Sequence, residues 1–381
     1  MVLNTQDRTI YLPEHELFRD QVRKFLSHAA VPNLDRWERE GIVDRDFWLA
    51  CGEAGLLCPT VPEEYGGLGT DYRYNAIIDE ELGYIGCSAG IILQSDVAVD
   101  YLVHYATTEL RERWLPAMIS GEAIAAIAMT EPGTGSDLQG IKTTARRDGA
   151  DYIVNGSKTY ITNGQNADIV IVVARTSEEG GARGTSLIVV EADRPGFARG
   201  RNLDKIGQHA ADTSELFFED VRVPAGNVLG QEHAGFRYLM ERLPQERLSI
   251  AVCAQAVAQR ALDEAVAYTK GRKAFGTEIF NMQNTRFTLA DLATGLQVGW
   301  AHLDWALARH VRGELNAVQA SAAKLYHSEL QWKCCDAALQ MFGGAGYMNE
   351  YAIARMWRDA RVTTIFGGTS EIMKEIIGRS L

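Results

Sequence analysis

Two changes of hydrophobic period divide this chain. From residue 12 to about residue 120, apolar residues recur at helical spacing; between Ile124 and Pro224 they fall in short strand-length runs; from Phe236 onward long helical stretches return. At 381 residues the chain exceeds one ordinary core, so the period changes are read as boundaries between folding units. The fold expected is multi-domain α and β. It has an N-terminal helical domain (1–122), a central β domain, barrel or sandwich (123–228), and a C-terminal helical bundle (229–381).

Within the first unit, Glu14–Ala29 sets Leu17, Val22, Phe25 and Leu26 near one face, with Pro32 beyond its end, and Asp46–Ala54 repeats that character. Pro59–Gly69 reads as a connection and Tyr72–Leu82 as a helix whose acids Asp79, Glu80 and Glu81 form a solvated face. Ala89–Val103 is apolar enough to be a buried helix, either plain core or the wall of a pocket (Ile91, Ile92, Leu93, Val97), and Thr108–Ile119 is amphipathic. In the β unit, Ile124–Met129 is a strand followed by the loop TEPGTGSD. Tyr152–Val154 and Thr159–Thr162 flank Asn155-Gly156, a hairpin signal, and Ile169–Ala174, Ser186–Glu191 and Glu215–Val223 are further strands. In the last unit, Phe236–Leu243 runs into a break at Pro244. The helices Gln245–Lys270, Gln283–Val311, Glu314–Phe342 (stopped by Gly343-Gly344) and Glu350–Ala360 follow. A β-prone run, Val362–Phe366, then stops at Gly367-Gly368, and Thr369-Ser370-Glu371 opens a final helix. Glycines before a helix N-terminus suit an anion or a polarised oxygen, although an ordinary strand-to-helix turn has the same sequence.

A formal net charge of -12 argues against binding nucleic acid or an anionic membrane surface. Six cysteines without a Cys-x-x-Cys pair suggest free thiols in a reducing compartment, and the absence of His-Glu-x-x-His gives a metal site no support. Met1–His15 lacks the basic start and apolar core of a signal peptide, and no apolar run reaches membrane-span length, so a cytoplasmic protein is expected. TEPGTGSD is not Gly-x-Gly-x-x-Gly, because Leu138 stands where the third glycine belongs, and no helix follows it; a nicotinamide-binding unit is therefore not expected.

Five separated motifs carry a resemblance. AMTEPGTGSDLQGIKT (Ala128–Thr143), NGSKTYITNG (Asn155–Gly164), GRKAFG (Gly271–Gly276), QMFGGAGYMNEY (Gln340–Tyr351) and IFGGTSEIMKEII (Ile365–Ile377) resemble the acyl-CoA dehydrogenase family in order and spacing. The resemblance covers nearly the whole chain. It implies a helical domain, a central β-barrel and a C-terminal four-helix bundle, with FAD as cofactor and a homotetramer built as a dimer of dimers. The implied reaction is α,β-dehydrogenation of an acyl-CoA thioester, a step of fatty acid β-oxidation. A carboxylate takes the α-proton, the β-hydrogen leaves as hydride to flavin N5, and the electrons pass to an electron-transfer flavoprotein.

Most branches of that family carry the catalytic Glu at the position held here by Gly367. Either the chemistry is lost, or another carboxylate reaches the same carbon. The long-chain and isovaleryl branches place Glu at the position of Glu246, within LPQERL, and this chain is most similar to the long-chain branch. Taken alone, Glu246 is also a plain acid at a helix start after Pro244. By resemblance, Ile127, Ala128, Met129, Thr130, Glu131, Pro132, Gly133, Thr134, Gly135 and Ser136 line the flavin ring and pyrophosphate, Ser136 also lying near the CoA. Tyr160, Ile161 and Thr162 pack on the ring's other side. Arg272 and Gln283, with Gln340, Met341, Phe342, Gly343 and Gly344 of a neighbouring subunit, hold the FAD phosphates and adenosine. Thr369, Ser370 and Glu371 cap the cofactor. Gln245, Arg247, Gly367 and Gly368 join Ser136 on the substrate side, with the Gly367 amide polarising the thioester carbonyl. Two departures stand out: Phe342 replaces a His expected in the long-chain branch, and Arg237 replaces an aromatic, which suggests a polar acyl group. A flavin oxidase and a silent FAD-binding scaffold on the same fold are the rival readings.

Overall fold

The α–β–α succession is present in a computed structural model that describes residues 8–178 and 183–381. The first unit holds α1 (Pro13–Ala29), α2 (Leu34–Glu40), α3 (Arg45–Glu53), α4 (Tyr72–Ile85), α5 (Val99–Tyr105) and α6 (Thr108–Ser120). Their ends follow local chemistry: Asp71 accepts from the Arg73 amide at the start of α4, and Thr107 from the Leu110 amide at the start of α6. The buried segment expected at 89–103 contains a π-turn, Leu93–Ala98, before α5. Its wider turn coincides with polar anchors. Gln94 Nε2 donates to Met118 O (2.9 Å), the Ala125 amide donates to Gln94 Oε1 (2.9 Å), and Asp96 accepts from Tyr72 and Asn75 (both 2.8 Å).

The expected solvated face of α4 is a correction, because Asp79, Glu80 and Glu81 are all buried. Glu80 accepts from Arg8 Nη1 (2.7 Å), Tyr11 Oη (2.8 Å) and Arg19 Nη1 (2.7 Å), and Glu81 pairs with Arg19 and Arg23. Those partners lie at sequence separations of 58 to 72, so local charge pattern did not reveal them. Arg8 also reaches Asp304 and lies over the Trp300 ring, tying the start of the chain to the bundle.

The middle unit is one curled seven-stranded sheet. Its strands are β1 (Ala125–Ala128), β2 (Thr144–Asp148), β3 (Asp151–Thr162), β4 (Ile169–Arg175), β5 (Thr185–Glu191), β6 (Phe197–Asn202) and β7 (Thr213–Pro224), in the order β1-β4-β2-β3-β7-β6 with β5 on β4. The Asn155-Gly156 hairpin is not formed. β3 runs straight through that dipeptide beside β7, with a register shift between Val154 and Gly156, and the tight turn falls instead between β2 and β3. Gly156 has φ 148°, and a Cβ there would lie 2.5 Å from Thr143 Oγ1, so the glycine serves close strand approach rather than a turn. β2 and β6 were not expected, since TARRD and FARGRN carry no apolar alternation. One face of β1, β4 and β5 (Ile127, Ile169, Ile171, Leu187, Val189) joins the core of the N-terminal helices. The opposite face (Ala126, Val170, Val172, Ile188) packs inside the sheet with Tyr152 and Leu216.

The last unit comprises α7 (Gly235–Gly271), α8 (Gln283–Val311), α9 (Ala317–Phe342), α10 (Ala352–Ala360) and α11 (Ser370–Gly378). Pro244 does not break α7, which continues through it for 37 residues. A proline removes one i→i−4 bond, and Gln245 braces the chain just beyond it: its Nε2 donates to Asp96 O (2.6 Å) and its Oε1 meets His310 Nε2 (3.0 Å). The β-prone run at 362–366 is also corrected, since Arg361–Thr364 is a 3-10 turn. There the Thr363 and Thr364 hydroxyls donate to the carbonyls of Ala360 (2.7 Å) and Arg361 (3.1 Å), a local bond that outweighs β-branching.

Candidate active site

Position along α7 organises the site. Glu246, Ile250, Cys253 and Val257, spaced 4, 3 and 4 apart, fall on one helical face and line one wall of a cavity of about 180 Å³. Ile92, Leu93 and Val97 from the π-turn region line it too, as do Thr162, Thr363 and Phe366. Ile91 points instead into the core. The Oε2 of Glu246 is buried without a hydrogen-bond partner. Burial raises this carboxyl to about 6, while the nearby Arg247 and Lys324 cations pull it down.

Gly367 faces the base. Its φ is 62°, and a Cβ there would lie 3.7 Å from Glu246 Oε1 and 2.4 Å from Ile250 Cδ1. Side chains on α7 and α9 hold this turn from behind: Lys324 Nζ donates to Gly368 O (2.6 Å), Arg247 Nε to Gly367 O (3.4 Å) and Arg247 Nη1 to Ser321 Oγ (3.2 Å). Thr369 then caps α11 by accepting from the Ile372 amide (3.3 Å), with Ser370 buried and Glu371 exposed. Lys324 was missed in the sequence. A lone lysine between Ala323 and Leu325 of an apolar helix stretch was the available signal.

The loop after β1 is stapled from within. Lys158 Nζ donates to Met129 O (3.0 Å) and Glu131 Oε1 (2.9 Å), the Lys142 and Thr143 amides donate to the Glu131 carboxylate (2.7 and 2.9 Å), and the Thr159 amide donates to Thr130 O (2.9 Å). Glu131 and Thr134 are therefore internal supports rather than exposed ligands, and the Ile127 and Ala128 side chains are buried in the sheet. Pro132, Gly133, Gly135 and Ser136 remain outward, with open space around both glycines. Beside this loop β3 bulges between Lys158 and Ile161. Tyr160 takes φ 60° and stands 70% exposed, Ile161 is buried, and Thr162 reaches the cavity. A left-handed aromatic costs energy that the surrounding pairing must offset, which fits a residue presented to a ligand.

Other expected residues lie elsewhere. Gln245 is spent on its brace to Asp96 and His310 and does not line the Glu246 cavity. Arg237 is exposed at the surface over the Tyr238 ring (5.1 Å) and does not line the cavity either, so it gives the acyl group no polar partner. Arg272 is exposed at the far end of α7, roughly 39 Å of helix from Glu246 at 1.5 Å per residue, and Gln283 is exposed at the start of α8. Phe342 stacks on Tyr268 (3.9 Å) at the end of α9, followed by exposed Gly343 and Gly344, while Gln340 is exposed and Met341 half-buried.

Models of the acyl-CoA dehydrogenase N-terminal, middle and C-terminal domains match residues 12–122, 126–221 and 233–381. The long-chain specific acyl-CoA dehydrogenase of Sus scrofa mitochondria is 47% identical over 377 residues, 98% of this chain and 88% of the relative. An acyl-CoA dehydrogenase of Bacillus subtilis is 36% identical over 97% of this chain and 98% of its own length. Among solved structures, an acyl-CoA dehydrogenase from Geobacillus kaustophilus superposes with TM-score 0.96 at 47% identity, covering 97% of this chain and 98% of that one. A glutaryl-CoA dehydrogenase from Mycobacterium smegmatis, solved in complex with FADH2, gives 0.92 at 28% identity over 100% and 97%.

Proposed function

We propose, for a chain that belongs to the acyl-CoA dehydrogenase family, that Glu246 is the base that removes the α-proton of a medium- or long-chain acyl-CoA. The family activity itself, oxidation of a CH–CH bond in an acyl-CoA with FAD as cofactor, is what membership establishes. One observation carries the finer reading: a buried, unpartnered carboxylate oxygen beside a glycine that has no side chain, at the head of an apolar cavity.

The residues present fit FAD. Open space around Gly133 and Gly135, the exposed Tyr160, and the start of α11, where Thr369 caps the Ile372 amide only, would give it polar contacts. The chemistry FAD supplies when bound is acceptance of the β-hydrogen as hydride. On the protein side, an acyl tail fills the cavity between the Ile92–Val97 and Ile250–Val257 walls, placing its α-carbon against Glu246. Ionised Glu246 takes the α-proton at Oε2, and the Gly367 amide donates to the thioester oxygen as negative charge develops there. Burial keeps the carboxylate basic, while Arg247 and Lys324 stop it from being protonated at neutral pH. From Glu246 to Val257 the lining follows α7 for on the order of 16 Å. An extended chain advances about 1.2 Å per bond, so that wall matches roughly 13 bonds. This supports a role in fatty acid β-oxidation.

Arg272, Gln283 and residues 340–344 lie too far along the bundle for the cofactor beside Glu246 of their own chain. That supports assembly as a homotetramer in which they serve a neighbour's FAD, and the exposed Phe275, Tyr347 and Met348 give such an interface apolar surface. An electron-transfer flavoprotein is the proposed electron acceptor. Six unpaired cysteines favour a reducing compartment, the cytoplasm in our reading, and no helix among the described residues is long and apolar enough to cross a membrane. The test is anaerobic flavin bleaching by a panel of straight and branched acyl-CoAs, run on the native protein and on Glu246→Gln. Bleaching that survives the substitution overturns the assignment.

A further inference from the structure

The cavity that begins at Glu246 does not end in hydrocarbon. Its lining also includes Gly86, Cys87, Ser88, Gln208, Arg355 and Asp359. Two of these polar groups are buried without partners, Ser88 Oγ and Arg355 Nε. The Arg355 guanidinium lies against the chain two residues before Ser88, since a Cβ built on Gly86 would lie 3.9 Å from both Arg355 Nε and Nη2. Arg355 spends Nη1 on the exposed Asp35 (3.0 Å), leaving its inner edge free. Asp359 accepts from the Gln208 amide through Oδ1. A second cavity of about 740 Å³, of mixed lining, shares Gly86, Arg355 and Met356 and also takes in Glu38 and Arg358. Arg355 thus stands between the largely apolar slot and a wider cavity that carries charged groups.

A methyl-terminated tail pushed to this end would displace water from Ser88 Oγ and Arg355 Nε and return no hydrogen bond, at a cost per group comparable to a lost hydrogen bond. Building on the reading that the acyl tail occupies this cavity, we propose that the distal end is a recognition site for a hydroxyl group carried on the acyl chain, so that the preferred substrates include ω-hydroxyacyl-CoA thioesters. A hydroxyl both accepts and donates. It accepts from Arg355 Nε, and its proton goes to Asp359 or to Ser88. A carboxylate only accepts, and it would face the Asp359 and Glu38 carboxylates across Arg355 and Arg358.

The experiment measures kcat/KM of the holoenzyme on lauroyl-, myristoyl- and palmitoyl-CoA and on the ω-hydroxy and ω-carboxy derivative of each. The expected result is a preference of about tenfold for the ω-hydroxy over the plain chain at one or more lengths, one hydrogen bond's worth, without a matching gain for the ω-carboxy chain. Ser88→Ala and Arg355→Lys should each bring that ratio toward one; the first is a small change that spares folding should the second disturb it. A ratio near one at every length in the native enzyme, a preference for the ω-carboxy chain, or a ratio unmoved in both variants overturns the proposal. If the plain chains are oxidised without preference, only this inference fails. If none of the nine thioesters is oxidised, the placement of the acyl tail fails first.

Discussion

Glu246 works against its own surroundings, and that tension is measurable. As the proposed base it must be ionised to accept a proton, and burial raises its carboxyl to about 6, so kcat/KM should rise with pH through about 6 and level off above it. Lys324→Met removes a cation that favours the ionised form, so the acidic limb should move to higher pH, visible in a pH–rate profile. Glu246→Gln, nearly isosteric, should lower the rate of flavin reduction by about 10²–10⁴-fold while leaving thermal unfolding close to that of the native protein. An unchanged pH profile in Lys324→Met would mean that the titrating group is not Glu246.

At the scale of elements, the Lys158–Glu131 pair is the test of how the loop after β1 is held. Both side chains are buried, and the pair spans β3 and the loop. Lys158→Met should destabilise by about 1–3 kcal/mol in urea unfolding, because it leaves the buried Glu131 carboxylate with only the Lys142 and Thr143 amides to offset its charge. Adding Glu131→Gln should recover part of that loss. The elements also show what the sequence made legible. Gln283–Val311 was read to the residue, because a long helix with one buried stripe declares its period. Glu246 was singled out by the family resemblance, which points to its position when Gly367 carries no carboxylate, and the structure sets the two 3.7 Å apart from a Cβ on Gly367 to Glu246 Oε1. The misreadings have two causes: Glu80, Glu81 and Gln245 are explained by partners far away in the chain and Gly156 by its place between paired strands, whereas Val362–Phe366 is explained by local hydroxyl bonds that β-propensity ignores. The unpartnered Ser88 and Arg355 had no sequence signal at all, being 267 positions apart.

For the molecule as a whole, the sheet and the N-terminal helices are one cooperative body, since β1, β4 and β5 place one face in the helices' core. A fragment of residues 123–228 alone would expose Ile127, Ile169, Ile171, Leu187 and Val189 together. It should bind the dye ANS and aggregate, whereas residues 8–228 should do so less, as light scattering would show. The bundle meets this body at the Glu246 cavity, so the proposed reaction centre is assembled from separate parts. On that reading the proton acceptor is not the property of one segment. A side chain leaving Gly367 and the carboxylate of Glu246 aim at the same point from opposite elements, 3.7 Å apart at the Cβ position. The role is therefore transferable. In a Glu246→Gln background, Gly367→Glu combined with Ile250→Val, which deletes the Cδ1 atom that a Cβ would meet at 2.4 Å, should restore part of the lost dehydrogenation despite the about 1–2 kcal/mol cost of a left-handed non-glycine residue. On the proposed reading, an enzyme built this way could pass its base from one element to another over successive sequence changes while the carbon it attacks stays where it is.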